Sequence, residues 1–392
     1  MLTLIKNATL YSPKPQGVKD VLLGGKQVLA LTEPGALSLS GMKLEVIDAA
    51  GQCLVPGLVD PLVHISGGGG EGGFHTRTPE MQLTEATLAG VTTVIGALGT
   101  DAVSRSLEDL LAKAYALDNE GLSTYIYTGS YEYPVKTLTG DITRDLMLIG
   151  KVIGIGEIAI ADHRGSQLSV AELARVASQA RVGGMLSGKG GKVFVHVGDG
   201  TEGLALLHQV AKETDIPLGQ FYPTHINRST ALLEQGVVFA RAGGVIDITA
   251  SENTPALPND EVPAVAAVRY ALESGVSVSQ ITLSSDGNAS LPVFDEQGRL
   301  AGLEVGRVGS LARVFRELVA AGINLEDALA MTSTNAARTL GLEPKGVIAE
   351  GADADLVLLD RSFCPDSVWC RGKRMVAGGK ALVRGTFEPV GL

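Results

Sequence analysis

The sequence predicts an α/β protein, a (β/α)8 barrel carried between two β-rich ends. Eight short β-type runs recur between residues 58 and 285, and the stretches between them place apolar residues at helical spacing. Gly supplies 50 of the 392 residues without a fixed period, as many tight turns between short elements require. Strict alternation of strand and helix implies a parallel sheet, and eight such units close into a barrel more readily than they spread open. A doubly wound sheet is the alternative.

At the N-terminal end, Leu2–Ile5, Val21–Leu23, Val28–Leu31 and Leu44–Ile47 are short apolar segments separated by turn residues, the pattern of small antiparallel strands. The eight runs of the middle lie near Leu58–Ile65, Val91–Leu98, Ser123–Tyr127, Val152–Ile160, Lys192–Val197, Pro217–His225, Gly244–Thr249 and Ile281–Ser285. Amphipathic segments fall between them at Ser104–Leu117, Ser169–Ala180, Thr201–Lys212, Ala231–Ala242 and Val262–Glu273. The tail is β-rich again, with Ala354–Leu359, Arg374–Ala377 and Lys380–Val383 broken by Gly378 and Gly379. The length accommodates one large domain and a small one: residues 58–344 as the barrel, residues 1–57 with 345–392 as the companion.

Hydrophobic residues make up 45% of the chain, which excludes disorder. Lys and Arg total 32 against 43 Asp and Glu, a net charge of −11 that disfavours nucleic acid and anionic membranes as partners and points to a small molecule. Cys53, Cys364 and Cys370 form no C-x-x-C, so neither a disulfide framework nor a cysteine zinc site is expected. With no signal-like start and no apolar run of membrane length, the expectation is a soluble cytoplasmic protein.

In a barrel the chemistry lies at the C-terminal ends of the strands, and polar residues collect there. His64 follows the first run, Thr100 and Asp101 the second, Tyr131 the third, and Glu157 with Asp162-His163-Arg164 the fourth. His196 and His225 end the fifth and sixth, and Asp286 follows the eighth. Only six His occur, so three at strand ends, together with Asp286, indicate a metal site. A hydrolytic metal site needs about three protein ligands and an open position for water, with a carboxylate nearby to take the proton. The loop Gly67-Gly-Gly-Gly-Glu71-Gly-Gly73 lets backbone approach a ligand closely while Glu71 offers a carboxylate to a cationic group; the alternative is a flexible surface loop. Gly183 to Lys189 satisfies G-x-x-x-x-G-K, but Gly190 stands where a nucleotide site needs Ser or Thr, so nucleotide binding is rejected. Arg164 and Arg228 are placed to clamp a carboxylate bidentately, with a surface ion pair as the alternative.

Over nearly its whole length the chain resembles the metal-dependent isoaspartyl (β-aspartyl) dipeptidases of the amidohydrolase superfamily. The resemblance is carried by Val55-Pro-Gly-Leu-Val-Asp60, the His64 to Glu71 glycine loop, Leu98-Gly-Thr-Asp101, Thr128-Gly-Ser-Tyr131, Asp162-His-Arg164, Pro223-Thr-His-Ile-Asn-Arg228, Ser284-Ser-Asp-Gly-Asn-Ala-Ser290 and Gly351-Ala-Asp-Ala-Asp-Leu-Val357. It implies a TIM-type barrel, a small β-sandwich built from both termini, a zinc centre of one or two ions per chain, and a homo-oligomer such as an octamer. By motif, His64, Glu157, His196, His225 and Asp286 are the implied metal ligands, with Asp286 also the general base and Tyr131 polarising the scissile carbonyl. Glu71 is implied to bind the substrate's α-ammonium, and Arg164, Arg228 and Ser290 its carboxylates, with Thr100 nearby.

Two departures stand out. Leu62 replaces the first histidine of the family's His-x-His, and Glu157 replaces a carboxylated lysine that bridges two metals. A glutamate has two oxygens and supplies the same bridge. Glu157, His196 and His225 then hold one ion with three ligands, whereas the second position, at His64, Glu157 and Asp286, has lost an imidazole. The resulting expectation is a dipeptidase that hydrolyses β-aspartyl dipeptides by metal-activated water. The alternatives are an amidohydrolase acting on a cyclic amide or on an N-acyl or N-carbamoyl amino acid, and a non-catalytic relative with a degenerate metal site.

Overall fold

The computed structural model describes residues 2–38, 41–250, 260–294 and 300–389. The chain opens with β1 (Leu2–Tyr11), β2 (Pro15–Gly24), β3 (Gln27–Thr32), β4 (Leu44–Asp48) and β5 (Cys53–Pro56). Eight strand and helix units follow: β6 (Leu58–Val63) with α1 (Leu83–Thr87), β7 (Val91–Gly96) with α2 (Leu107–Glu120), β8 (Ser123–Thr128) with α3 (Ile142–Leu148) and β9 (Val152–Ile160) with α4 (Val170–Ser187). The remaining four are β10 (Lys192–Val197) with α5 (Ala205–Glu213), β11 (Phe221–Thr224) with α6 (Thr230–Arg241), β12 (Ile246–Thr249) with α7 (Ala264–Glu273), and β13 (Ile281–Ser284) with α8 (Gly309–Ala320). A hairpin, β14 (Ser290–Phe294) and β15 (Leu300–Val305), separates β13 from α8. The chain closes with β16 (Leu356–Leu359), β17 (Pro365–Cys370), β18 (Lys373–Ala377) and β19 (Lys380–Ala381).

The strands form where the sequence is continuously apolar because parallel strands are covered on both faces. All nine residues of β9 are buried. The helices start and stop on local signals. Ser169 caps α4 in a capping box with Glu172, and Gly188 ends it in the left-handed conformation. The hairpin carrying Ser290 escaped sequence reading, because Pro292 within its first strand argues against a ladder.

β6 to β11 form one parallel sheet of six strands, and β12 with β13 a second parallel pair. Among the described residues the contacts between the two sheets are carried mainly by side chains. On one side Asp60 Oδ1 accepts from Ser285 N at 3.0 Å, and His64 N donates to Gly287 O at 2.8 Å. On the other, Thr224 Oγ1 donates to Asp247 Oδ2 at 2.7 Å, and Thr249 N donates to Asn227 Oδ1 at 2.9 Å. Asp247 also accepts from Thr282 and Ser284, which ties β11, β12 and β13 through one buried carboxylate. Burial pushes Asp247 up to about 6 and Asp60 up to about 7, as expected of carboxyl groups removed from water.

Between the strands lies a separate apolar cluster that includes Leu62, Ile95, Tyr127, Phe194 and Tyr222. Its rings interlock: Tyr127 stacks on Phe194 at 4.8 Å, and Phe194 meets Tyr222 edge-on at 4.9 Å. Those five residues come from β6, β7, β8, β10 and β11. The terminal segments interleave in one continuous nine-stranded sheet in which β16 and β1 flank β5. Trp369 is fully buried in that sheet's core with Leu10, Leu54 and Leu358, a packing role and not a chemical one.

Candidate active site

Glu157 lies in β9, His196 in β10 and His225 immediately after β11, so neighbouring strands deliver them to one place. One donor atom from each lies within 4.8 Å of the others. Glu157 Oε1 faces His196 Nδ1 at 3.5 Å and His225 Nε2 at 3.6 Å. Its other oxygen, Oε2, faces His64 Nε2 at 3.5 Å, and that nitrogen lies 3.2 Å from Asp286 Oδ1. The five residues that sequence reading nominated as ligands therefore converge, in two groups that share Glu157.

The backbone is bent to achieve this. His225 and Asp286 adopt φ of 62° and 51°, a left-handed conformation that costs energy in residues other than Gly. The imidazoles are oriented from behind: His64 Nδ1 lies 3.2 Å from Ala97 O, and His225 Nδ1 lies 2.8 Å from Thr249 Oγ1. These contacts leave each Nε2 turned to the carboxylates.

The electrostatics fit a cation. Both oxygens of Glu157, and Oδ1 of Asp286, are buried without a hydrogen-bond partner, an arrangement that is costly unless positive charge compensates it. Burial alone raises Glu157, but the close approach of the His196 and His225 imidazoles and the charge of His64 outweigh it and hold the carboxyl below its usual range. Asp286 is likewise lowered, because the neighbouring His64 and nearby imidazole charge overcome burial. For His64 burial acts downward, yet its contact with Asp286 and the charges of Glu157 and Asp286 raise it to about 9. Burial takes His225 down to about 4, so its imidazole is neutral and a competent ligand. Two imidazoles and a carboxylate with free lone pairs suit a divalent ion.

Tyr131 is buried beside this cage, its hydroxyl 2.6 Å from His196 Nδ1, and burial raises its phenol well above the usual value, so it keeps its proton. Arg164 lies over the Tyr131 ring, 5.6 Å from its centre. Glu71 accepts from Thr100 Oγ1 at 2.8 Å and faces Arg164 Nη1 at 3.4 Å. Glu71, Thr100, Tyr131 and Arg164 thus form one contiguous group. Arg228 pairs with Asp199 at 3.5 Å, and its charge still acts on Tyr131 and His225. Ser290 packs against the glycine loop. A Cβ on Gly69, which has φ +67°, would lie 2.8 Å from Ser290 Cβ, so only Gly fits there.

Several residues of the site were not singled out in the sequence. Arg105, buried, donates to the carbonyls of Ser66, Gly68 and Thr78 and so pins the base of the glycine loop. Thr78 Oγ1 accepts from Gly68 N at 2.7 Å and adds a second tie. Asp162 binds both His196 and Arg164. Its place in the Asp162-His-Arg164 run was the available signal.

The amidohydrolase family model matches residues 53–375. The chain belongs to the amidohydrolase family. A solved β-aspartyl dipeptidase from Fervidobacterium islandicum, in complex with a β-Asp-Leu dipeptide, is 46% identical, with a TM-score of 0.90 over 99% of this chain and 100% of that one. A second crystal structure of the Fervidobacterium dipeptidase aligns at 44% identity and a TM-score of 0.89, over 97% of this amidohydrolase and 98% of that chain. An adenine deaminase from a Chelativorans species is 27% identical over 96% of this chain. This amidohydrolase spans 57% of that deaminase's length. A dihydropyrimidinase from Brevibacillus agri, 18% identical with a TM-score of 0.66 over 98% of this chain and 97% of that one, shares the fold. No helix among the described residues of this amidohydrolase is long and apolar enough to cross a membrane.

Proposed function

We propose that this amidohydrolase is a metal-dependent β-aspartyl dipeptidase, and that its eight strand and helix units close into a barrel around the site. The observation that carries the activity is the Glu71–Arg164 pair beside Tyr131 and the Glu157, His196 and His225 cage. A β-aspartyl dipeptide carries an α-ammonium and an α-carboxylate on its first residue, and adjacent anionic and cationic side chains complement that zwitterion. Similarity to the Fervidobacterium dipeptidase along 99% of the chain supports the same substrate. Cyclic amides lack the ammonium group and leave Glu71 without a use.

The geometry supports the following roles. Glu157, His196 and His225 would hold a zinc ion, which would supply Lewis acidity at the carbonyl and for water. Asp286, held ionised beside His64, takes the proton of the attacking water and returns it to the leaving amine. Tyr131 keeps its hydroxyl proton and donates it as a hydrogen bond to the oxygen where negative charge develops. Glu71 holds the α-ammonium, Arg164 and Arg228 hold carboxylates, and Thr100 and Ser290 complete the pocket.

Hydrolysis of β-Asp-Leu in the presence of added zinc, assayed beside hydantoin and dihydrouracil, tests the reading. Turnover of the dipeptide alone is expected. Turnover confined to the cyclic amides would replace this reading with the cyclic-amidase one, and no turnover of any member would favour a non-catalytic relative.

Leu62 bears on the metal stoichiometry. It is fully buried in the apolar cluster with Tyr127, Phe194 and Tyr222 and offers no donor atom, so we propose one tightly held ion per chain, in the cage, and a weak second position at His64 and Asp286. Leu62→Ηis is therefore expected to raise the zinc retained after long dialysis from one to two per chain, measured by mass spectrometry. An unchanged content counts against the assignment of the second position.

A further inference from the structure

We infer that Asp162 is a positioning residue that fixes the metal-facing nitrogen of His196 and, through the same carboxylate, the fork of Arg164. Asp162 Oδ2 lies 3.0 Å from His196 Nε2 and accepts from Arg164 Nη2 at 2.6 Å. Its other oxygen, Oδ1, accepts from Arg164 Nε at 2.9 Å and from Arg164 N at 2.8 Å. Arg164 Nη2 approaches the same nitrogen at 3.4 Å, but the carboxylate is nearer and only accepts, so in the neutral imidazole Nε2 carries the hydrogen and Nδ1 presents its lone pair. Nδ1 is the atom that faces Glu157 Oε1, and it also meets the Tyr131 hydroxyl. The opposite tautomer would turn an N–H into the cage and remove one of its three donors.

The carboxylate is held where it must be by its backbone. Gly198, directly after β10, has no Cβ; one there would lie 2.5 Å from Asp162 Cβ. Gly200 N donates to Ala161 O at 2.7 Å, and Gly198 N donates to Ile160 O at 3.0 Å, so the turn carrying Asp162 is tied to the strand carrying His196. Asp162 is itself buried. The second half of its role follows from the bidentate contact. With Nε and Nη2 engaged by Asp162, Arg164 turns Nη1 to Glu71 and to any carboxylate seated beside it. One side chain thus couples the metal cage to the charged anchor of the substrate.

Only the second half rests on the proposed dipeptidase reading. The test uses cobalt(II) alone as a spectroscopic probe of the cage in the full chain, followed by β-Asp-Leu kinetics. Asp162→Asn is expected to weaken cobalt binding by about 10- to 100-fold, the effect typical of losing a partner of a metal-bound imidazole, and to raise KM as well. Arg164→Ala is expected to raise KM and to leave cobalt binding at the wild-type value. Wild-type cobalt affinity in Asp162→Asn overturns the His196 half, and an unchanged KM overturns the Arg164 half. Should Asp162→Asn fail to fold, nitrogen-15 spectra of histidine-labelled wild type decide the first half: a hydrogen on His196 Nε2 is expected, and one on Nδ1 overturns it. Failure of the wild type to hydrolyse β-Asp-Leu would remove the dipeptidase reading and leave the cobalt comparison intact.

Discussion

Glu157→Gln is expected to lose the tightly held metal and to lower kcat on β-Asp-Leu by about 10³-fold or more, since the Lewis acid and its effect on water go together. The amide keeps the shape of the side chain, so packing is preserved. It removes the charge that three imidazoles converge upon and places an NH2 where a cation or a lone pair has to sit. Both carboxylate oxygens are buried and have no other partner, so no alternative contact exists among the described residues to absorb the change. Zinc content after dialysis and kcat are measured together. Thermal melting gives an independent reading: zinc should raise the melting temperature of wild type and not of the variant, because a ligand stabilises only a fold that binds it. A variant that retains one zinc per chain would show that His196 and His225 find their third donor elsewhere.

Asp286→Asn is expected to separate chemistry from metal binding. The cage of Glu157, His196 and His225 does not include Asp286, so the tightly held ion should remain. Loss of the proton-transferring carboxylate should lower kcat by about 10²- to 10⁴-fold, the usual contribution of a general base. KM should change little, because Glu71 and Arg164 are untouched and interactions confined to the transition state act on kcat. Steady-state kinetics with zinc analysis on the same preparation check this. Loss of the zinc together with activity would make Asp286 a primary ligand of the tight ion and reverse the order of the two metal positions.

Much of this molecule is legible along the chain because the signals are local. Each of the eight runs became a strand within a few residues of its expected limits; the longest shift is at Pro217–His225, where Leu218–Gln220 form a 3-10 turn before β11. His196 and His225 were legible because an isolated polar residue at the end of an apolar run has few other uses, and Glu157 because it is the one charged residue within the apolar run Val152–Ile160. Arg105 and Asp247 were not. Nothing near Arg105 in sequence shows that it reaches the carbonyls of Ser66 and Gly68, and nothing near Asp247 shows that its hydroxyl donors sit on the two strands either side of its own.

The same division holds for the site. The sequence by itself determined which residue types are available: three strand-end histidines, Glu157 in place of a lysine, Asp286, and the absence of an imidazole at position 62. Tertiary structure alone decided how they are used. It assigned one oxygen of Glu157 to His196 and His225 and the other to His64, and placed Leu62 in a buried apolar cluster with Tyr127 and Phe194. It also set Asp162 against both His196 and Arg164. Residue identity is written locally, whereas the direction of a lone pair depends on what packs behind the ring, and that partner comes from a distant part of the chain.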